Sequence, residues 1–108
     1  LKVIINAYKP VDTGIEVYYK VKSDEDPEDF DKKGYTLMSQ ETSNSVYSLS
    51  PEDTREYVYQ SANESIEYTS GNATYDRFKT FAIKIALTST NAAVVPKVRD
   101  MRAIALDT

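Results

Sequence analysis

The chain has 108 residues and contains no cysteine, no histidine and no tryptophan. Without cysteine it can form no disulfide bond, no thiolate nucleophile and no zinc–thiolate site. Without histidine it lacks the side chain that most often acts as a general base near neutral pH and most often binds metals. With three glycines, it also lacks a phosphate loop, a dinucleotide fingerprint and a nucleophile elbow. We therefore expect a non-enzymatic protein with no catalytic residues, no cofactor and no metal.

The charge balance and the hydrophobic pattern argue against a nucleic-acid-binding protein and against a membrane protein. The net charge of -4 opposes binding to nucleic acid or anionic lipid, because both partners require a positive face. No apolar run approaches the roughly 20 residues of a membrane span, so we expect no membrane span. Hydrophobic residues make up 41% of the chain and charged residues 28%, as in ordinary globular domains. We predict a single domain over 1–108, and we expect it to be excised from a longer chain because it starts on a strand at Leu1 and stops on one at Leu106.

The dominant pattern is an alternation of apolar and polar residues, which predicts strands with one buried face. It occurs in three long stretches, and in each stretch the residues of one parity are apolar. These residues are Leu1, Val3, Ile5 and Ala7; Ile15, Val17, Tyr19 and Val21; and Phe81, Ile83, Ile85 and Leu87. We expect the strand at Leu1 to lie at a sheet edge, because it has little polar protection, and to leave a surface for weak self-association burying less than about 1,200 Å².

The stretch 78–106 is predicted to be a central hairpin, formed by the last two strands of the domain. Its second strand has a conflict of phase, because Val98 shares a face with Ile104 only if Asp100 and Arg102 lie there too. A bulge or a strand end near Arg99 and Asp100 would resolve that conflict. Asp100 and Arg102 are candidates for a structural ion pair, formed with each other, with Arg99 or with a neighbouring chain.

Shorter strand-like segments occur at 34–38, 46–49, 57–60 and 66–69, and no amphipathic helix is apparent. A helix start signal at Ser50 and Pro51 predicts about one turn. The total of seven or eight short strands predicts an all-β fold, namely an antiparallel β-sandwich with a jelly-roll-like topology.

The segment 23–33 is rich in carboxylates around Pro27, which allows three interpretations. Calcium binds six to eight oxygen ligands, which this segment could supply, but residue 29 is not the glycine that a helix-loop-helix calcium site requires. A solvated charged loop is the preferred interpretation. A pair of carboxylates could also serve glycoside hydrolysis, which is the third-ranked function. The carboxylates belong to Asp24, Glu25, Asp26, Glu28, Asp29 and Asp31.

Nine tyrosines without a single tryptophan are a distinctive aromatic usage. Tyr18, Tyr57 and Tyr59 are candidates for an interaction surface, since outward rings could stack on a sugar or anchor a protein interface. The alternative is structural, because tyrosine also packs its ring in strands while its hydroxyl reaches water.

Both ends of the chain carry a resemblance to a known family. The residues are Ala7-Tyr8-Lys9-Pro10, the run from Thr13 to Lys20, the run from Phe81 to Ile85 and the run from Val95 to Ala105. This sequence resembles a domain of virion structural proteins of T4-like marine cyanophages, which are associated with the tail or baseplate. More distantly, the closing strands are similar to jelly-roll modules of surface and carbohydrate-binding proteins, although the chain lacks their tryptophan.

The resemblance implies a structural or interaction module located in a phage virion. Its expected partners are other virion proteins or copies of itself, and the family brings no catalytic residues. The alternative function is a carbohydrate-binding module that recognises surface glycans. Exposed tyrosines that converge on a concave face would favour the glycan binder, whereas dispersed or buried tyrosines would favour the structural module.

Overall fold

The computed structural model describes residues 1–40, 47–50, 52–61, 66–91 and 93–104. Within these ranges the secondary structure is almost entirely β, with one 3-10 turn at Phe30–Lys32. No helix in this part of the chain is long and apolar enough to cross a membrane. The strands are β1 Lys2–Tyr8, β2 Thr13–Lys22, β3 Thr36–Leu37, β4 Ser39–Gln40, β5 Arg55–Gln60, β6 Tyr68–Ser70, β7 Ala73–Tyr75, β8 Thr80–Ser89 and β9 Lys97–Ile104.

Two sheets and one small hairpin contain these strands. The first sheet has the order β4-β5-β1-β9, the second has the order β3-β2-β8, and β6 pairs with β7. Every pairing is antiparallel. The all-β, sandwich-like architecture predicted from the sequence is therefore confirmed, while the jelly-roll topology stays a prediction.

The core lies between β1 and β5 of the first sheet and β2 of the second. All four apolar residues of the first stretch are buried, and Val3, Ile5 and Ala7 have no exposed surface. In β2, Val17 is completely buried and Tyr19 packs against the core cluster. The predicted phases of these two strands are confirmed, because their inward rows meet across the sandwich.

The connection between β1 and β2 requires two special positions. Asp12 has a φ of 73° in the turn, where Thr13 donates from both its amide (3.3 Å) and its hydroxyl (2.6 Å) to the Pro10 carbonyl. Gly14 follows at the start of β2, and a Cβ there would lie 2.6 Å from the Thr88 hydroxyl of β8. A side chain at position 14 would therefore require the Thr88 side chain to rotate or β8 to shift.

The predicted central hairpin at 78–106 is wrong. β8 pairs with β2 over ten residues, whereas β9 pairs with β1, so the two strands belong to different sheets. Each is the last strand of its sheet among the described strands. Alternation predicts a strand but not its neighbour, and here the connection between Ser89 and Lys97 passes from one sheet to the other.

Two further expectations about these strands have opposite outcomes. The bulge is confirmed, because Asn6 lies opposite Asp100 and the next residue, Ala7, lies opposite Val98, leaving Arg99 as the extra residue. The expected edge position of the strand at Leu1 is wrong, since β1 lies between β5 and β9. Its apolar row is protected by these neighbours rather than by polar side chains.

Met38 joins the two sheets on one side of the sandwich. It separates β3 of the second sheet from β4 of the first, its amide donates to the Val17 carbonyl at 2.8 Å, and it is 4% exposed. One chain segment thus closes this side. The opposite side is bounded by β8 and β9, where Phe81 and Leu87 are 38% and 45% exposed although their row faces inward.

The remaining segments differ in part from expectation. The strand predicted at 46–49 is absent from 47–49, and Val46 lies outside the described residues. No helix starts at Ser50; its carbonyl accepts from the Asp53 amide at 2.9 Å in a turn, and Pro51 is also outside the described residues. A tight turn joins β6 to β7 in a hairpin, and Gly71 has a φ of 61° in that turn.

Candidate interaction surface

Aromatic rings and lysine side chains alternate on the outer side of the β3-β2-β8 sheet. Lys84 Nζ lies 4.5 Å from the ring centroid of Tyr18 and 4.7 Å from that of Tyr35. Lys20 Nζ lies 5.0 Å from Tyr35 and 4.5 Å from Phe30. These distances are within the range of cation–π attraction. We call these five residues the tyrosine–lysine face.

Strand alternation and register explain why these side chains meet. Tyr18 and Lys20 belong to the outward row of β2, since Val17 and Tyr19 face the core. In the ladders Tyr18 lies opposite Lys84 of β8 and Leu37 of β3, so the three side chains share one side of the sheet. The sequence predicted the outward row of β2, but the register that brings Lys84 beside Tyr18 required the structure.

The tyrosine–lysine face is accessible, and two of its side chains make polar contacts. Tyr35 is 39% exposed and the adjoining Leu37 is 56% exposed. The Tyr18 hydroxyl donates to Glu16 Oε2 at 2.5 Å, and this hydrogen bond, with the neighbouring negative charge, raises the pKa of Tyr18. Lys20 Nζ donates to the Phe30 carbonyl at 3.2 Å. Tyr18 thus keeps its role as a candidate interaction residue.

Tyr57 and Tyr59 do not lie on an outward face, so that expectation is wrong. Their exposures are 1% and 2%, because β5 pairs with β1 in a register that sets Tyr57 opposite Ile5 and Tyr59 opposite Val3. The Tyr59 hydroxyl donates to the Ile15 carbonyl of the other sheet at 2.9 Å. Burial raises the pKa of Tyr59 to about 12. Both tyrosines belong to the core.

The predicted ion pair between Asp100 and Arg102 is not formed either. Arg102 Nη2 instead lies 3.8 Å from Glu56 Oε2, across β1, and both side chains are more than half exposed. Asp100 Oδ1 accepts from the Met101 amide at 2.9 Å. The long Arg102 side chain thus reaches over β1 to a carboxylate of β5, while the short Asp100 side chain accepts from the backbone beside it.

A buried polar cluster lies where the segment 23–33 meets the β6–β7 hairpin. Asp26 Oδ2 accepts from the Lys33 ammonium and from the Tyr68 hydroxyl, the latter at 2.8 Å, while Oδ1 accepts from the Glu28 amide at 3.0 Å. Lys33 also contacts Glu28 Oε1 at 2.8 Å. The Asp26 side chain has no exposed surface. Asp26 therefore departs from the solvated loop predicted for this segment, although Asp24, Glu25, Asp29 and Asp31 are exposed.

The charges of this cluster stabilise each other. Burial alone would raise the pKa of Asp26, but hydrogen bonds from Lys33, Glu28 and Tyr68 hold it well below its usual range. Burial alone would lower the pKa of Lys33, and its bonds to Asp26 and Glu28 raise it instead. Sequence analysis missed this cluster because Tyr68 lies 42 residues from Asp26.

A groove of about 440 Å³ adjoins the cluster, between β2 and β6. Two lysines and two glutamates line it, so their formal charges cancel, and Tyr19 and Tyr68 contribute aromatic surface. In the part of the chain that the structure describes, no three carboxylates converge closely enough to hold a metal ion. The polar lining residues include Lys20, Lys33, Glu28, Glu67, Thr36 and Thr69.

Comparisons with known proteins add no further assignment. No family model, no curated protein and no solved structure matches the chain.

Proposed function

We propose that this chain is a non-enzymatic structural module of a phage virion, in the tail or baseplate, that packs against other virion proteins or copies of itself. The observation that carries the proposal is the tyrosine–lysine face. Tyr18 lies on β2, Tyr35 directly precedes β3 and Phe30 lies in the 3-10 turn. Exposed aromatic residues are frequent anchors of protein interfaces. The resemblance of both chain ends to cyanophage virion proteins supports the same assignment.

The distribution of tyrosines supports a structural module over a glycan binder. Tyr57 and Tyr59 are buried in the core, and Tyr68 packs against Tyr75 in the β6–β7 hairpin with ring centroids 5.3 Å apart. A sugar binds aromatic side chains by stacking on a ring face, but lysine ammonium groups already occupy positions over the rings of Tyr18 and Tyr35. The ring edges and hydroxyls of Tyr18 and Tyr35 are the parts that a partner can contact, and such contacts are typical of protein interfaces.

Carbohydrate binding is the second candidate, and the groove between β2 and β6 favours it. Its formally neutral lining, with Tyr19, Tyr68 and two threonines, matches a ligand that has hydroxyl groups and no charge. If glycans bind there, binding should depend on Glu67, which lines the groove, and not on Tyr18, which does not.

Immunogold labelling tests the proposed function. Antibodies raised against the 108-residue chain should label purified particles of a phage that encodes it, at the tail or baseplate. Particles that contain no polypeptide with this sequence, as judged by mass spectrometry, would contradict the proposal.

A glycan array run with the wild-type chain separates the two candidates. We expect no binding. Binding that is lost in Glu67→Ala and retained in Tyr18→Ala would replace the proposed function by carbohydrate recognition through the groove. Because Tyr57 and Tyr59 are buried, variants at those positions would test folding instead of recognition.

A further inference from the structure

β9 is an accessible edge strand. Among the described strands it has one neighbour, β1, and its other side is free of pairing. Six of its eight residues are exposed. Such an edge presents backbone donors and acceptors that another extended strand can pair with.

The side chains of β9 form a pattern around Met101. Asp100 and Arg102 lie opposite Asn6 and Ile4 of β1, on the outer side of the sheet, whereas Met101 lies opposite the fully buried Ile5. Met101 is nevertheless 43% exposed, because no strand covers its outer flank. The strand therefore places a negative and a positive charge symmetrically about an exposed apolar residue.

We propose that β9 pairs antiparallel with β9 of a second copy, about a two-fold axis that passes through Met101. In this register Asp100 of each copy faces Arg102 of the other, and the two Met101 side chains meet on the inner side. The result is one continuous sheet of eight strands. The inference deepens the proposed function, on which it rests, by naming a partner.

The charges select this register over its neighbours. A two-fold axis through Asp100 would set two aspartates opposite each other, and an axis through Arg102 would set two arginines opposite each other, both of which are unfavourable. A shift by one residue would set the inward Met101 of one copy opposite the outward Arg102 of the other, so the inner face of one sheet would continue into the outer face of its partner. The register centred on Met101 avoids both penalties and forms two pairs of opposite charge.

Two features near the pairing make it weak and exchangeable. The bulge at Arg99 interrupts the ladder on one side of the axis in each copy, so the regular pairing is short. Arg102 must also leave Glu56, but that contact spans 3.8 Å between exposed side chains, and such a pair contributes little free energy. We expect a contact at the transient end of the size range, below about 1,200 Å² in total.

Sedimentation velocity of the 108-residue chain, with charge reversals on β9, tests the pairing. The wild type should shift reversibly from monomer to dimer as its concentration rises. Asp100→Arg sets two pairs of positive charges face to face, and Arg102→Asp sets two pairs of negative charges face to face. Each variant alone should dimerise at least about tenfold more weakly.

Mixing the two variants is the decisive step. An equimolar mixture again places opposite charges at both facing positions, so a heterodimer should form although each variant alone dimerises only weakly. A folding defect could not produce this rescue. The matched controls are Asp76→Arg and Arg77→Asp, exposed neighbours in the loop before β8, which should dimerise as the wild type does.

A cysteine on the axis provides a second measurement. Because the chain has no cysteine, Met101→Cys under oxidising conditions can form a disulfide only with the same position of another copy. We expect a cross-linked dimer, whereas Leu49→Cys, a control at an 85% exposed position, should cross-link much more slowly.

The outcomes separate this inference from the proposed function. A wild type that stays monomeric up to about 1 mM, or a mixture of Asp100→Arg and Arg102→Asp without heterodimer, would overturn the pairing of β9 while leaving virion labelling intact. A heterodimer in solution, combined with the absence of this sequence from purified particles, would retain the pairing and overturn the virion assignment.

Discussion

β1 and β8 have the same alternating pattern in the sequence, but the structure buries them to different depths. In β1 Val3 and Ile5 have no exposed surface, whereas in β8 Phe81 and Leu87 are 38% and 45% exposed. β1 lies between β5 and β9, while β8 has the single neighbour β2 among the described strands. Alternation therefore reports which face of a strand turns inward, and the number of neighbouring strands determines how completely that face is covered.

Truncation of an isoleucine in each strand should give the largest contrast. Ile5→Ala removes a completely buried side chain and should lower the free energy of unfolding by about 2–5 kcal/mol, as cavities in a core do. Ile85→Ala, on a half-buried edge strand, should cost about half as much. Urea unfolding of both variants measures the difference. Equal losses in the free energy of unfolding would contradict the expectation that truncation costs less on an edge strand.

The contrast extends to charges, because Asp26 and Lys33 are buried whereas Arg102 and Glu56 are exposed. Asp26→Asn should lower Tm at pH 7 by about 5–10 °C, since it leaves the buried ammonium without its carboxylate. The exposed Asp24→Asn, two residues away, should leave Tm unchanged.

The same pair gives a pH dependence with a defined sign. The pKa of Asp26 in the folded chain lies below the ordinary value of 3.8, so the stabilisation is complete above that pH and is lost as the pH falls. The pKa of Lys33 is raised above its ordinary value of 10.5, so its stabilisation is complete below that pH and is lost at more alkaline pH. The Tm difference between wild type and Asp26→Asn should be constant from about pH 5 to 9 and shrink in acid. A difference that grows below pH 3.8 would contradict the assigned pair.

Tyrosine hydroxyls provide a smaller effect. Tyr59→Phe removes the hydrogen bond that joins β5 to Ile15 of the other sheet, and should cost about 1 kcal/mol in urea unfolding. It should also abolish the tyrosine ionisation near pH 12 in ultraviolet titration, because that pKa is raised by burial. Tyr18→Phe, on the tyrosine–lysine face, should leave the unfolding midpoint unchanged.

The smallest effect is expected for the exposed pair on the first sheet. Glu56→Ala removes the contact with Arg102 at 3.8 Å and should change the free energy of unfolding by less than about 0.5 kcal/mol. Urea unfolding at low and high salt is the measurement. A loss above about 1 kcal/mol would assign this pair a structural role that its geometry does not support.

Local patterns predicted much of the fold. The inward rows of β1 and β2 and the bulge at Arg99 follow from the order of apolar and polar residues within each strand. That order can be read from a few consecutive residues. The pairing of β8 with β2 and of β9 with β1 could not be derived in this way. A strand has the same alternation of apolar and polar residues whichever strand it pairs with. Pairing also decides which strands are internal, so alternation alone could not show that β1 lies between β5 and β9.

The candidate site was less predictable than the fold. Tyr18 was identified because it lies in the outward row of β2, but Tyr57 and Tyr59 were misplaced because nothing in their own segment shows that they face Ile5 and Val3 of β1. The cluster around Asp26 depends on Tyr68, which approaches only after the β6–β7 hairpin has docked. Tertiary contacts of this kind have no local signature.

The position of β1 also has a kinetic consequence. Its two neighbours are distant in the sequence, since Lys2 lies opposite both Gln60 and Ile104. As a ribosome releases the chain, β1 remains without its second neighbour until almost all of the segment 1–104 has emerged. Refolding that must close so long a loop is slow, on the order of milliseconds to seconds, and it leaves the most apolar strand exposed for that time. Chaperone capture of a nascent chain should therefore be centred on β1.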